Sequence, residues 1–222
     1  MENDVALVGV LAFATLLPFL IACGTCYIKF SIVFVMVRNA LGLQQIPSNM
    51  TLNAIAFILS MFVMTPVVQQ GYQSYQHSEV DINSVDSISQ FLDEGFSSYR
   101  AYLTRYTDPE LAQFFTRVQS QRENPTEEAE QSLQEEKPSI LTLLPAYALS
   151  EIKSAFKIGF YLYLPFVVVD LLVSSILLAL GMMMMSPVTI SVPIKLILFI
   201  VLDGWTLLSE GLIKQYIAVG AG

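Results

Sequence analysis

Apolar residues fall into four long stretches, and the polar ones gather between the second and the third. The first stretch runs from Val5 to Cys23, 19 residues, long enough to cross a bilayer as a helix. It opens on Met1-Glu2-Asn3-Asp4, whereas a cleavable secretory signal opens on positive charge. The pattern therefore predicts an uncleaved hydrophobic helix, kinked or started afresh near Pro18. A helix continues past Tyr27 and stops around Gly42, and Pro47-Ser48-Asn49 starts the next. Thr51–Val68 is the second apolar helix, with Pro66 near its far end. After the polar interval, Ser139–Phe160 is mixed, Tyr161–Leu180 is almost wholly apolar, and Val188–Leu208 follows a short turn. The expectation is an all-α chain of two hydrophobic helical hairpins, nominally four membrane helices, around a small helical domain. Its divisions are 1–70 for the first hairpin, 71–140 for the acidic domain and 141–222 for the second hairpin.

Between Gly71 and Lys137 the composition changes. Thirteen acidic residues face five basic ones (Arg100, Arg105, Arg117, Arg122, Lys137), a local charge of −8. Ile88, Phe91, Leu92, Phe96, Tyr99 and Leu103 recur at helical spacing, as do Leu111, Phe114, Phe115 and Val118. Asp108-Pro109-Glu110 reads as an N-cap followed by proline at the first helical position. Two or three short helices result, with aromatic faces in need of a partner surface. Glu123–Lys137 is acidic and poor in apolar residues, the composition of a mobile loop.

The whole chain of 222 residues is 54% hydrophobic and 14% charged, against about 25% charged in ordinary soluble domains. A net charge of −8 argues against nucleic acid, which demands a basic patch. Lys29 and Arg38 have no acidic residue between Gly24 and Thr51 to balance them. That asymmetry marks the first hairpin's tip as cytoplasmic under the positive-inside rule. With both tips cytoplasmic, the acidic domain and both termini lie outside. Cys23-Gly24-Thr25-Cys26 has neither further cysteines for zinc nor the soluble βαβ setting of a redox motif. It reads as small residues closing a helix. One histidine, no usable cysteine pair and no glycine-rich phosphate loop leave nothing from which to build an enzyme, and no metal or other cofactor is implied.

The second tip carries the most informative residues. Gly181-Met182-Met183-Met184-Met185-Ser186-Pro187 places four methionines where a membrane hairpin ordinarily turns in polar or basic residues. Methionine is unbranched and polarizable, so such a cluster seals against whatever shape it meets without holding it tightly. Charges inside the flanking helices cost about 2.5–3.5 kcal/mol each at the bilayer centre and must be paired or wetted. Asp170 and Lys195 lie at similar counting distance from the turn, so an ion pair within the hairpin is one expectation. Glu151 lies too far along to meet Lys195 of its own hairpin unless a neighbouring copy or a kink at Pro165 intervenes. Asp203 is the fourth such charge, and all of them must face protein rather than lipid.

Several long motifs carry a resemblance. Leu144-Pro145-Ala146-Tyr147-Ala148-Leu149-Ser150-Glu151-Ile152-Lys153-Ser154-Ala155-Phe156-Lys157-Ile158-Gly159-Phe160, Val168-Val169-Asp170-Leu171, Ala179 through Met184, Lys195-Leu196 and Leu202-Asp203-Gly204-Trp205 resemble the type III secretion export-gate proteins of the SctR/FliP family. Arg38-Asn39-Ala40-Leu41-Gly42 and Gln44-Gln45 agree as well. The likeness covers the chain apart from Gln73–Pro138, and the fourth methionine is closer to the virulence injectisome branch. It implies a helical assembly of about five copies with smaller S and T subunits (FliQ and FliR in flagella), beside other export, needle and rod components. That assembly passes unfolded secreted proteins across the bacterial inner membrane, with the central domain periplasmic. The resemblance further implies a gasket of Met182, Met183, Met184 and Met185, and buried contacts by Glu151 and Lys195 that hold neighbouring subunits. It also implies an assembled form standing largely on the external side of the membrane plane, against the four-span reading. A second class stays open: a proton-coupled small-solute transporter using Asp170 and Lys195 as a relay. The absence of similarity between the two hairpins counts against it.

Overall fold

A computed structural model describes residues 11, 14–16, 18–77, 97–123, 139–182 and 184–217. Every regular element among them is a helix: α1 (Pro18–Gly24), α2 (Tyr27–Ala40), α3 (Asn49–His77), α4 (Ser97–Tyr106), α5 (Pro109–Glu123), α6 (Ile140–Ala179), α7 (Pro187–Val201) and α8 (Gly204–Ile217). The 25 residues Asn49–Gln73 of α3 and the 40 residues of α6 are long and apolar enough to cross a membrane. The pairs α1–α2 and α7–α8 each qualify as a single broken span, which gives two to four candidate spans. At 1.5 Å per residue α6 is about 60 Å long, roughly twice the 30 Å hydrocarbon core of a bilayer. Pro165 does not interrupt it.

The chain folds into two units, Met1–Ile28 with Met64–Ile152 and Lys29–Val63 with Lys153–Gly222, and α3 and α6 contribute to both. In the first unit the core includes Cys26, Tyr102, Leu103, Leu143, Ala146 and Tyr147. The break between α1 and α2 falls at Thr25-Cys26. The reason lies in local hydrogen bonding. Thr25 Oγ1 donates back to Ile21 O at 2.7 Å and accepts from Tyr27 N–H at 3.3 Å, competing with the helical ladder as short hydroxyl side chains do. The Tyr99 hydroxyl donates to Gly24 O at 2.8 Å, satisfying a carbonyl at the end of α1. Asp108 caps α5 through Glu110 N–H to Asp108 Oδ1 at 3.0 Å, as its sequence position foretells. The acidic segment Glu123–Lys137 beyond Glu123, and the stretch holding Ile88, Phe91, Leu92 and Phe96, lie outside the described residues.

The second unit is organised by α2. Phe30, Val33, Phe34, Val37 and Ala40 are buried at three- and four-residue spacing, one face of a helix turned to its core. Phe34, Phe199 and Trp205 meet edge to face, at 6.1 Å from Phe34 to Trp205 and 5.3 Å from Phe199 to Trp205. Phe30 meets Tyr216 in the same way at 5.8 Å. Val188–Leu208, one apolar run by sequence, is broken at Leu202-Asp203 into α7 and α8 with a bend of 60°. Asp203 takes φ +49° there, a left-handed conformation that aspartate tolerates better than most residues.

The second tip and the buried charges

The second hairpin turns over seven residues, Leu180 to Ser186. Gly181 sits at φ +72°. Its N–H reaches Leu178 O at 3.0 Å, and Met182 N–H reaches Leu177 O at 2.9 Å. This crossed pair is the Schellman closure, in which glycine supplies the left-handed residue and the last carbonyls of α6 are satisfied. Met185 N–H then bonds Met182 O at 3.3 Å. Ser186 is extended and Pro187 takes the first position of α7, where a missing N–H costs nothing. These hydrogen bonds close the end of α6 and the turn that follows it. Met184 is fully exposed, while Met182 and Met185 are less than half exposed; Met183 lies outside the described residues. No ionisable group stands between Gly181 and Pro187. Chemically the tip is an uncharged, thioether-rich cap.

The first tip uses the same turn. Gly42 lies at φ +79°, with Gly42 N–H to Asn39 O at 3.0 Å and Leu43 N–H to Arg38 O at 3.2 Å. Unlike Gly181, which has open space where a side chain would project, a side chain at Gly42 would collide with Val192 of α7. Arg38 is buried; its Nη1 donates to Pro47 O at 3.2 Å and to Asn49 Oδ1 at 2.6 Å, stitching the tip shut. Ser31 Oγ donates to Asn53 Oδ1 at 2.7 Å, tying α2 to α3.

Lys195 occupies the centre of the second unit at 4% exposure. Its Nζ lies 2.5 Å from Asp170 Oδ2 and 3.2 Å from Ala40 O. One ammonium therefore joins α6, α7 and the carboxyl end of α2, where the partial negative charge of the helix terminus favours a cation. Asp170 Oδ1 is buried without a hydrogen-bond partner among the described residues. Gly181 follows Asp170 by eleven residues, so the second tip lies about 16 Å along α6 from the ion pair at the helical rise.

The other predicted residues fall elsewhere. Glu151, at 1% exposure, belongs to the first unit. Nearby, the Tyr102 hydroxyl lies 2.6 Å from that of Tyr147. Burial, with Glu151's charge as a smaller contribution, raises the Tyr102 and Tyr106 phenols above the usual tyrosine range. Burial pushes Tyr99 up to about 12. Asp203, expected among buried contacts, is exposed in this chain; its Oδ1 accepts from Thr206 Oγ1 at 3.1 Å at the start of α8. Lys29, expected at the first tip with Arg38, lies instead at the opposite end of α2. It is buried, with Nζ 4.6 Å from the Tyr216 ring centroid, a cation–π contact that offsets its desolvation. The tyrosine ladder went unread in the sequence. Tyr99, Tyr102 and Tyr106 at three- and four-residue spacing were the available signal. Among the described residues no cluster of three metal-ligating side chains occurs.

The sequence pattern of the family described as the FliP family matches residues 10–212. The "Surface presentation of antigens protein SpaP" of Salmonella typhimurium is 65% identical over 222 residues, covering 99% of this chain and 99% of that protein. The protein of the same name from Shigella flexneri is 61% identical over 221 residues, with both chains covered in full. "Yop proteins translocation protein R" of Yersinia pestis is 44% identical over 216 residues, covering 97% of this chain and 98% of that one.

Proposed function

The chain belongs to the FliP family of type III secretion export proteins, on its injectisome side, and from that premise we propose that it builds the export gate's entry portal. It is a component of a secretion export apparatus, and its apolar helices suit a multi-pass protein of the inner membrane. In the proposed portal, several copies, about five on the family resemblance, assemble with smaller S- and T-type subunits. Their second tips converge around a path for unfolded secreted proteins, with the central domain on the periplasmic side.

The observation that carries this reading is the uncharged tip with Met184 fully exposed at the far end of the second hairpin. A protein-conducting pore must exclude ions at rest and yet grip no particular side chain. Thioethers supply a deformable apolar closure, and an apolar constriction blocks ions by shedding water. A tip whose helix end is closed by its own hydrogen bonds can present such side chains without melting. Lys195 and Asp170, which a proton-coupled transporter would use as its relay, are accounted for as the fastening of the first tip to the second hairpin.

The test is to replace Met182, Met183, Met184 and Met185 together by alanine and follow ion flux across membranes containing the assembled complex. The expected result is a complex of unchanged mass that leaks small ions. Normal ion tightness in that assembled variant contradicts the gasket.

A further inference from the structure

The turn between α6 and α7 holds four of the chain's nine methionines, and the structure sets them apart from Met36 and Met64. Met184 is fully exposed, with Met182 and Met185 partly so. Met64 is buried, and Met36 packs its sulfur against Gly159, in the space that a side chain there would need. The hydrogen bonds that close the turn run from backbone to backbone and leave the thioethers out. No ionisable group stands between Gly181 and Pro187, so the only chemistry the tip offers is that of its sulfurs. Leucine or phenylalanine would also make an apolar closure. Methionine differs in that an oxidant turns it into a polar sulfoxide and a reductase restores it.

We propose that this turn is an oxidation site, and that conversion of Met184 and its neighbours to the sulfoxide reversibly loosens the closure. The oxidant is a hydroperoxide. A lone pair of the thioether sulfur attacks one peroxide oxygen. The O–O bond breaks, an S–O bond forms, and the departing hydroxide takes up the remaining proton as water. Sulfur gives up two electrons and the peroxide accepts them, so no further reactant is needed. The product carries a strong S–O dipole that an apolar ring cannot solvate. Water enters where the thioethers excluded it, and an apolar constriction once wetted conducts ions. The backbone closure of the turn is untouched by this chemistry, so polarity changes while the fold is kept. The inference rests on the gasket reading. In that arrangement the tips line the path itself, so a small solute reaches them through the path whatever subunits cover the outer faces. Met50, 84% exposed at the start of α3, belongs to the first tip and takes no part in the closure.

The test uses the assembled complex in sealed membrane vesicles. Hydrogen peroxide is added, oxygen uptake at each methionine is mapped by peptide mass spectrometry, and ion flux is followed alongside. Met184 should take up oxygen about fivefold faster than buried Met64. Ion flux should rise about tenfold as it does so. Methionine sulfoxide reductases, one for each sulfoxide epimer, should bring the flux back down. Replacing Met182, Met183, Met184 and Met185 together by leucine keeps apolar bulk without sulfur and should abolish the response to peroxide. Should that variant fail to assemble, Met184→Leu alone should reduce the response about twofold. Met50→Leu should leave the response intact. The proposal is overturned if Met184 is oxidised with no change in flux, if Met184 stays reduced in the assembled complex, or if the leucine variants respond as fully as the unsubstituted protein. A leaking alanine variant beside a tight oxidised tip overturns this inference alone. A tight alanine variant overturns the gasket, and this inference with it.

Discussion

The two hairpin tips share one backbone device and differ in everything around it. Each ends its helix with a left-handed glycine, Gly42 at φ +79° and Gly181 at φ +72°, and each closes the same crossed hydrogen bonds. The first is enclosed: Val192 presses on Gly42, Arg38 binds Pro47 and Asn49, and Lys195 holds the Ala40 carbonyl. The second meets nothing at Gly181 and leaves Met184 in the open. Closure of a turn is thus separate from its use. The first tip is a fixed part of the unit's core, and the second is finished internally and kept available for other molecules.

The largest expected effect comes from removing the fastening of the first tip. Lys195→Met leaves Asp170 without its counter-charge, and breaking a buried pair costs about 3–5 kcal/mol. Because Asp170 is 40% exposed, the low end, about 3 kcal/mol, is expected in denaturant titration of the detergent-solubilised chain. Asp170→Asn added to Lys195→Met should recover part of that loss. A larger loss in the double variant than in the single contradicts the pairing. Next in size is the contrast between the glycines. Gly42→Ala combines left-handed strain of about 1–2 kcal/mol with the collision at Val192, whereas Gly181→Ala bears the strain alone. Equal shifts in melting temperature would erase the distinction drawn between the tips.

Much of this was legible in the chain. Similar counting distance from the methionine turn placed Asp170 and Lys195 at similar depth, and they lie 2.5 Å apart. The N-cap at Asp108 and the helix stop near Gly42 followed from residue type. What escaped was set by tertiary contact or by competition for hydrogen bonds. Thr25 ends α1 because its hydroxyl rebinds the backbone in competition with the helical ladder. The proline at 165 lies within α6 without interrupting it. The fastening of α2 to α7 depends on Lys195 reaching Ala40, a contact across 155 residues to which no local periodicity points. Lys29 looked like a tip charge because sign counting ignores where a helix begins.

A smaller effect belongs to the first unit. Tyr99 ionises near 10 when unfolded and is pushed up to about 12 by burial. The neutral phenol is favoured in the folded state, so its contribution is complete below pH 10 and is lost as pH rises from about 10 to 12. Alkaline unfolding followed by circular dichroism should show this decline, and Tyr99→Phe should flatten it. Smallest of all is Met184→Ala, which should change stability of the isolated chain by less than about 0.5 kcal/mol, the range of exposed positions. That near-silence is itself part of the contrast, since the same side chain is expected to matter only in the assembly.

The claim that the second tips converge while the first remain apart is tested most directly by cross-linking in native membranes. Met184→Cys and Gln44→Cys are each placed in a chain bearing Cys23→Ala and Cys26→Ala and expressed with the rest of the export apparatus. A short thiol cross-linker should join Met184→Cys copies into dimers and higher species and leave Gln44→Cys copies single. Single chains at Met184→Cys, in a complex of full mass, would contradict the account.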